Sequence, residues 1–308
     1  MAADGSRRAI IAAFLANLGI ALAKFVGFAF TGAASMLAEA VHSVADTANQ
    51  GLLILGARRA RQPPSPQHPF GYGRERYFWS FVVAVVLFTA GGLFALAEGI
   101  EKLRHSHTLE SPAWAVGILL VAIVAEALSL RTAVHESRKA KSGMSWPAFI
   151  RRSKIPELPV VILEDTGALL GLAFALVGVG LAEITGNPRF DALGSIAIGV
   201  LLALIAVTLA VEMKSFLIGE AAAPEQVAKI KQALETTEGV ERVVHLRTEH
   251  LGPDELLVAA KIAVDGRAAS ADTAALIDRA EVAVRSEVPE ARIIYLEPDV
   301  DRRAPPMS

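Results

Sequence analysis

Over roughly the first two-thirds of the chain, apolar residues run in stretches about as long as a helix needs to cross a hydrocarbon layer. Six segments qualify: Ala9–Phe30, Ala33–Ala57, Tyr77–Ile100, Ala113–Ala133, Leu158–Ala182 and Phe190–Leu217. Thr31–Gly32 predicts a tight turn between the first two, and Gly186–Asn187–Pro188 another between the last two. Pro63, Pro64, Pro66 and Pro69 make the stretch from Arg61 to Pro69 a stiff connector.

After Gly219–Glu220 the pattern changes. Val227, Ile230 and Leu234 recur at helical spacing within Pro224–Glu238, which ends at Gly239. Val240–Glu249 and Leu256–Asp265 read as strands around a Gly252–Pro253–Asp254 turn; Ala271–Val288 reads as a second amphipathic helix and Arg292–Glu297 as a last strand. The expected architecture is therefore a membrane all-α domain of six transmembrane helices (1–219), a C-terminal cytoplasmic α+β domain of αββαβ, ferredoxin-like order (220–300), and a polar tail (301–308).

Composition agrees with that division. With 53% hydrophobic residues and a mean hydropathy of +0.44, the 308-residue chain falls among multi-span membrane proteins. A formal charge of −2 argues against a nucleic-acid partner. The chain has no cysteine, so disulfides and thiolate ligands are excluded, and any metal must be held by His, Asp, Glu, Asn or backbone oxygen. Lysine and arginine set the orientation. With the N-terminus in the cytoplasm, Arg7, Arg8, Arg58, Arg59, Arg61, Arg74, Arg76, Arg138, Lys139, Lys141, Arg151, Arg152 and Lys154 fall on the inner side. Only Lys102, Arg104 and Arg189 fall outside, so both termini are expected in the cytoplasm. Met1–Arg8 runs into the first span without a small-residue cleavage site. That span is read as a retained helix, and a bacterial inner membrane as the expected location.

Against this apolar background the ionisable residues stand out, because charge in hydrocarbon is costly and usually functional. His42 and Asp46 lie one helical turn apart in the second span, so imidazole and carboxylate share a face, an arrangement suited to a divalent transition metal. Glu39 and Asn49 lie on or near that face as possible supporting partners. The fifth span carries Glu164–Asp165; the alternative for this pair is an interhelical hydrogen-bond network, or one acid protonated by burial. Neighbours on a helix point about 100° apart, so one acid is expected to face the metal and the other a proton route or partner helix, with Asp165 the first choice as ligand. Lys24 is expected to snorkel or to pair with an acid, and Asn17, Glu98 and Glu126 to serve polar packing or pore lining. His68, His105, His107, His135, His245 and His250 lie in loops, at helix ends or in the C-terminal domain without a tight acidic cluster. Gly-x-Ser-x-Gly, P-loop and His-Glu-x-x-His signatures are absent, so no enzyme is expected and no cofactor. Without an ATP motif, uphill transport must draw on an ion gradient.

From Arg7 to Pro298 the chain resembles the cation diffusion facilitator family of divalent-metal transporters. The resemblance rests on His42-x-x-x-Asp46, on His68-Pro-Phe-Gly-Tyr-Gly-Arg-Glu-Arg76, on Asp191 opening the sixth span, on Leu217-Ile-Gly-Glu220 closing it, and on the αββαβ tail. It implies a homodimeric exporter with a metal site between the second and fifth spans that alternates between the two sides in exchange for protons. On that pattern His42 and Asp46 take the second-span ligand positions and Asp165 the second fifth-span position. Val161 stands where the commonest pattern has His or Asp, so that ligand is missing or supplied by Glu164. The Glu-Asp-Thr block looks like a subgroup that includes organellar zinc transporters of eukaryotes. Val244, Lys261 and Tyr295 fall roughly where some members bind a second metal in the cytoplasmic domain, which here is expected to serve mainly dimerisation. The expectation is export of Zn²⁺ by proton antiport through His42, Asp46, Glu164 and Asp165, with Co²⁺, Fe²⁺ or Mn²⁺ as alternatives. A non-transporting metal sensor and a membrane metal-dependent hydrolase are the readings from other classes.

Overall fold

Helices cover the apolar runs, since in hydrocarbon every backbone N–H and C=O must be satisfied within its own segment. The computed structural model describes residues 18–105, 112–141 and 143–300. The expected start of the first span, Asn17, His107 and the polar tail lie outside them. The chain divides into two compact units, Met1–Arg58 with Arg76–Lys214, and Arg59–Glu75 with Ser215–Ser308.

The first unit is built from α1 (Leu18–Thr31), α2 (Ala34–Arg59), α3 (Glu75–Arg104), α4 (Pro112–Lys141), the short α5 (Trp146–Arg152), α6 (Glu157–Thr185) and α7 (Arg189–Ile218). Among the described residues, four helices are long and apolar enough to cross a membrane: α3, α4 over Ala113–Arg138, α6 and α7. The described part of α1 is shorter, and α2 carries Glu39, His42, Asp46, Asn49 and Gln50 along its length. Helix α4 runs past its expected end at Ala133 to Lys141, because no helix breaker intervenes before Gly143, whose φ is +83°. Both predicted turns form, with Gly32 at φ +60° and Gly186 at φ +67°.

Within α3, residues Leu87–Leu93 form a π-helical turn. Gly91 and Gly92 in that turn lie against Leu202 and Ala203 of α7. Helices α6 and α7 meet backbone to backbone at Gly178 and Gly194, where a Cβ on Gly178 would stand 3.0 Å from the Phe190 carbonyl oxygen. At the start of α3, Arg76 grips Glu157 of α6 in a two-pronged pair, Nε to Oε1 at 2.5 Å and Nη2 to Oε2 at 2.8 Å. Large apolar side chains such as Val121, Ile184 and Leu204 remain exposed on the outer faces, as lipid contact requires.

The second unit follows the predicted αββαβ order: α8 (Pro224–Glu235), β1 (Val240–Gly252), β2 (Glu255–Val264), α9 (Ser270–Glu287) and β3 (Ile293–Asp299). The sheet order is β1-β2-β3, with β1 antiparallel to β2 (Leu246 opposite Ala260) and β2 parallel to β3 (Leu257 opposite Ile293). Alternate β2 residues Leu256, Val258, Ala260 and Ile262 pack with Ile230, Leu234, Leu276 and Val284 in one core. The connector Arg59–Glu75 belongs to this unit. Its Gly73 lies against Leu251 and Gly252, close enough that a Cβ would stand 2.6 Å from the Leu251 carbonyl oxygen, and Arg74 ion-pairs with Glu249.

Candidate functional site

Helix α2 carries half of the expected ligands, and its first turn is held from α7. The buried carboxylate of Asp191 accepts hydrogen bonds from the backbone N–H groups of Ala34 (2.8 Å) and Ser35 (3.3 Å) and from the Ser35 hydroxyl. An acid in this position neutralises the unpaired N–H groups at the start of a helix. Two turns further on, His42 and Asp46 share one face, as their spacing predicts. His42 Nδ1 lies 3.3 Å from Asp46 Oδ1, but the pair is not aligned as a hydrogen bond. The imidazole is wholly buried and neither of its nitrogens has a hydrogen-bond partner. Gly91, in the π-helical turn, lies beside it, where a Cβ would stand 3.8 Å from His42 Nδ1.

Asp46 lines a cavity of about 20 Å³, room for a single water molecule or a bare cation. Glu164 and Asp165 line it as well, together with Ser43, Gln50, Glu126, Ser129, Val161 and Ile20. The two adjacent acids of α6 thus reach the same space. Each is held by one neutral donor: Asn49 Nδ2 donates to Glu164 Oε1 at 2.7 Å, and Ser129 Oγ donates to Asp165 Oδ2 at 2.9 Å. Asn49, expected as a supporting partner, thus contacts Glu164. Among the described residues, no group of three His, Asp or Glu side chains is already closed to the geometry that holds a metal ion. The structure brings Asp46, Glu164 and Asp165 to one cavity and leaves His42 behind Asp46, outside the cavity wall.

Lys24 does not snorkel. Its ammonium is wholly buried and donates to Glu39 Oε2 at 3.1 Å and to Ser43 Oγ at 2.7 Å. Glu39 is equally buried, against Gly171 of α6, where any larger residue would collide with its carboxylate. Two residues of α4 contribute more than the sequence reading assigns them. Glu126, expected in polar packing or pore lining, and Ser129, given no role, both face the cavity. Their i, i+3 spacing puts them on one face of the apolar part of α4, which is the signal available in the sequence.

In the second unit, Lys261 donates to Glu297 (2.8 Å) and Asp299 (3.4 Å). The Glu297 hydrogen bond leads in holding its pKa above the ordinary lysine range. A fixed ammonium thus sits against both carboxylates.

Comparison with known proteins gives two family matches along the chain. Residues 10–218 match the cation efflux transmembrane domain, and residues 222–299 the cytoplasmic domain of cation efflux proteins. The proton-coupled zinc antiporter SLC30A9, mitochondrial, of Homo sapiens is 37% identical over 246 residues, covering 79% of this chain and 43% of that protein. Metal tolerance protein C4 of Arabidopsis thaliana is 32% identical over 264 residues, covering 85% of this chain and 58% of that protein. Magnetosome protein MamB of Paramagnetospirillum magneticum is 26% identical over 286 residues, covering 92% and 90%. The chain spans less than half of the human relative and somewhat over half of the plant one.

Proposed function

The chain belongs to the cation diffusion facilitator family, a family of transporters, and on that premise we propose that it exports a divalent transition metal, Zn²⁺ first among candidates, in exchange for protons. The observation that carries the proposal is the small cavity between the helices to which Asp46, Glu164 and Asp165 all contribute. Carboxylates gathered in a low-dielectric interior call for cations, and these acids together with the imidazole of His42 make an N/O donor set that zinc accepts. Metal and protons compete for the same oxygen and nitrogen atoms, so loading the metal releases protons and protonation expels it. The name of the human relative supports zinc and proton coupling, and that of the plant relative supports a metal substrate. Co²⁺, Fe²⁺ and Mn²⁺ suit a carboxylate-rich site as well, and competition among them is part of the test.

The proposed architecture has six spans, with α1 and α2 adding to the four apolar helices. Residues 1–219 form the transport domain, 220–300 the cytoplasmic domain and 301–308 the tail. Both termini lie on the cytoplasmic side, in keeping with the lysine and arginine distribution. The cytoplasmic domain pairs two copies of the chain, and rocking of helix groups about the midplane cavity alternates its access.

The test is Zn²⁺ flux in proteoliposomes under an imposed pH gradient. Asp46→Ala and Asp165→Ala are expected to lower gradient-driven flux to the level of empty vesicles, and normal flux in both would remove the assignment.

A further inference from the structure

Helix α4 brings a donor to the cavity for which neither the sequence motifs nor the relatives give a role. Glu126 lines the same wall as Asp46, Glu164 and Asp165. Its position on α4 is fixed one turn from Ser129, which is itself bonded to Asp165 at 2.9 Å. Among the described residues no hydrogen-bond donor reaches the Glu126 carboxylate, in contrast to Glu164 and Asp165, which have Asn49 and Ser129. Lys24, the nearby buried ammonium, is committed to Glu39 and Ser43. Next to Asp46, the wholly buried imidazole of His42 lies 3.3 Å away with both nitrogens unpartnered. The α6 wall meanwhile shows the cavity an apolar surface at Val161, one turn before Asp165.

We propose that Glu126 is a direct ligand of the transported divalent cation, so that the metal is held by three helices, α2, α4 and α6, rather than by two. The proposal rests on the cavity being the transport site. A ligand on α4 fits the local chemistry. The free space, about 20 Å³, admits a single ion, and Glu126 is among the few groups that line it. Glu126 is the one carboxylate there whose oxygens are not already engaged by a neutral donor or set beside the imidazole. A donor set with four carboxylates is harder than a histidine-rich one, which favours acceptance of Mn²⁺ and Fe²⁺ beside Zn²⁺.

The experiment is metal binding to the purified full-length protein in detergent micelles, with Zn²⁺ and Co²⁺ as probes and Mg²⁺ as control. Asp46→Asn is the reference variant. Removing a supporting partner of a metal site costs about 10–100-fold in affinity, and a direct ligand costs at least that much. Glu126→Gln is therefore expected to weaken Zn²⁺ binding by about 10-fold or more and to alter the visible absorption bands of bound Co²⁺. Unchanged Zn²⁺ affinity in Glu126→Gln, with affinity lost in Asp46→Asn, overturns the inference and leaves the site in place. Weakened affinity with unchanged Co²⁺ bands also overturns it, since Glu126 would then act on the structure alone. Unchanged affinity in both variants removes the transport-site reading itself. If Glu126→Gln does not survive purification, Glu126→Asp decides: withdrawing the carboxylate by one methylene is expected to weaken binding and shift the bands, and wild-type behaviour overturns the proposal.

Discussion

Replacing Asp191 by alanine isolates the contact that anchors the ligand-bearing helix. The carboxylate accepts three hydrogen bonds at the start of α2, two of them from backbone N–H groups that have no partner within the helix. Alanine leaves those two N–H groups buried and unpaired, at a cost of about 1–3 kcal/mol each. The Ser35 hydroxyl, free to rotate to another acceptor, adds little. A loss of about 3 kcal/mol is expected, within the range of about 2–6 kcal/mol that two such stranded groups give. Asp191→Asn keeps the side-chain volume and one acceptor oxygen, and should lose about half as much. The assay is unfolding of the full-length protein by SDS in mixed micelles. Ser35→Ala should cost about 1 kcal/mol alone and close to nothing in the Asp191→Ala background, because its partner is already gone. An Asp191→Ala variant within about 0.5 kcal/mol of wild type, or strict additivity with Ser35→Ala, would refute the reasoning.

Two further outcomes follow from the same physics. Lys24→Met strands Glu39 without its cation and should lower stability by about 3–5 kcal/mol in the SDS titration, while Lys24→Met/Glu39→Gln should recover most of the loss; a double variant no better than the single one counts against the pair. Arg76 and Glu157 are each about one-fifth exposed, so a double-mutant cycle on their two-pronged contact should return a coupling of about 0.5–1 kcal/mol, falling with added salt.

The four long apolar helices and the αββαβ domain were legible because each rests on a local rule: apolar length for the helices, alternation for the strands, Gly and Pro for the turns. His42 and Asp46 were legible for a similar reason, since i, i+4 spacing places two side chains on one face without knowledge of any neighbour. The contacts between helices were not. That Lys24 meets Glu39 and Ser43, or that Asn49 meets Glu164 and Ser129 meets Asp165, depends on the register of packed helices, which no single segment encodes. Glu126 shows the limit most clearly: an isolated acid in an apolar helix has the same pattern whether it lines a cavity or packs against a neighbour. The end of α4 was missed because the sequence past Ala133 loses its apolar character while keeping its helix formers, and apolar length alone cannot see the difference.

The π-helical turn in α3 also bears on how this span should be laid beside others. A turn closed by i→i+5 bonds holds one residue more than an α-helical turn, so Glu75–Val86 and Phe94–Arg104 are out of phase by about one position, or about 100° of rotation. In alignment language the span carries a one-residue insertion, housed where Gly91 and Gly92 leave room for it against α7. Deleting one residue between Leu87 and Leu93 would restore a regular helix but swing its second half round, taking Gly99 off the Ala192 carbonyl and Ile196 against which it now rests. A span without the bulge can therefore be matched to this one residue for residue on one side of the insertion only, and a gapless comparison across it pairs side chains that face in different directions.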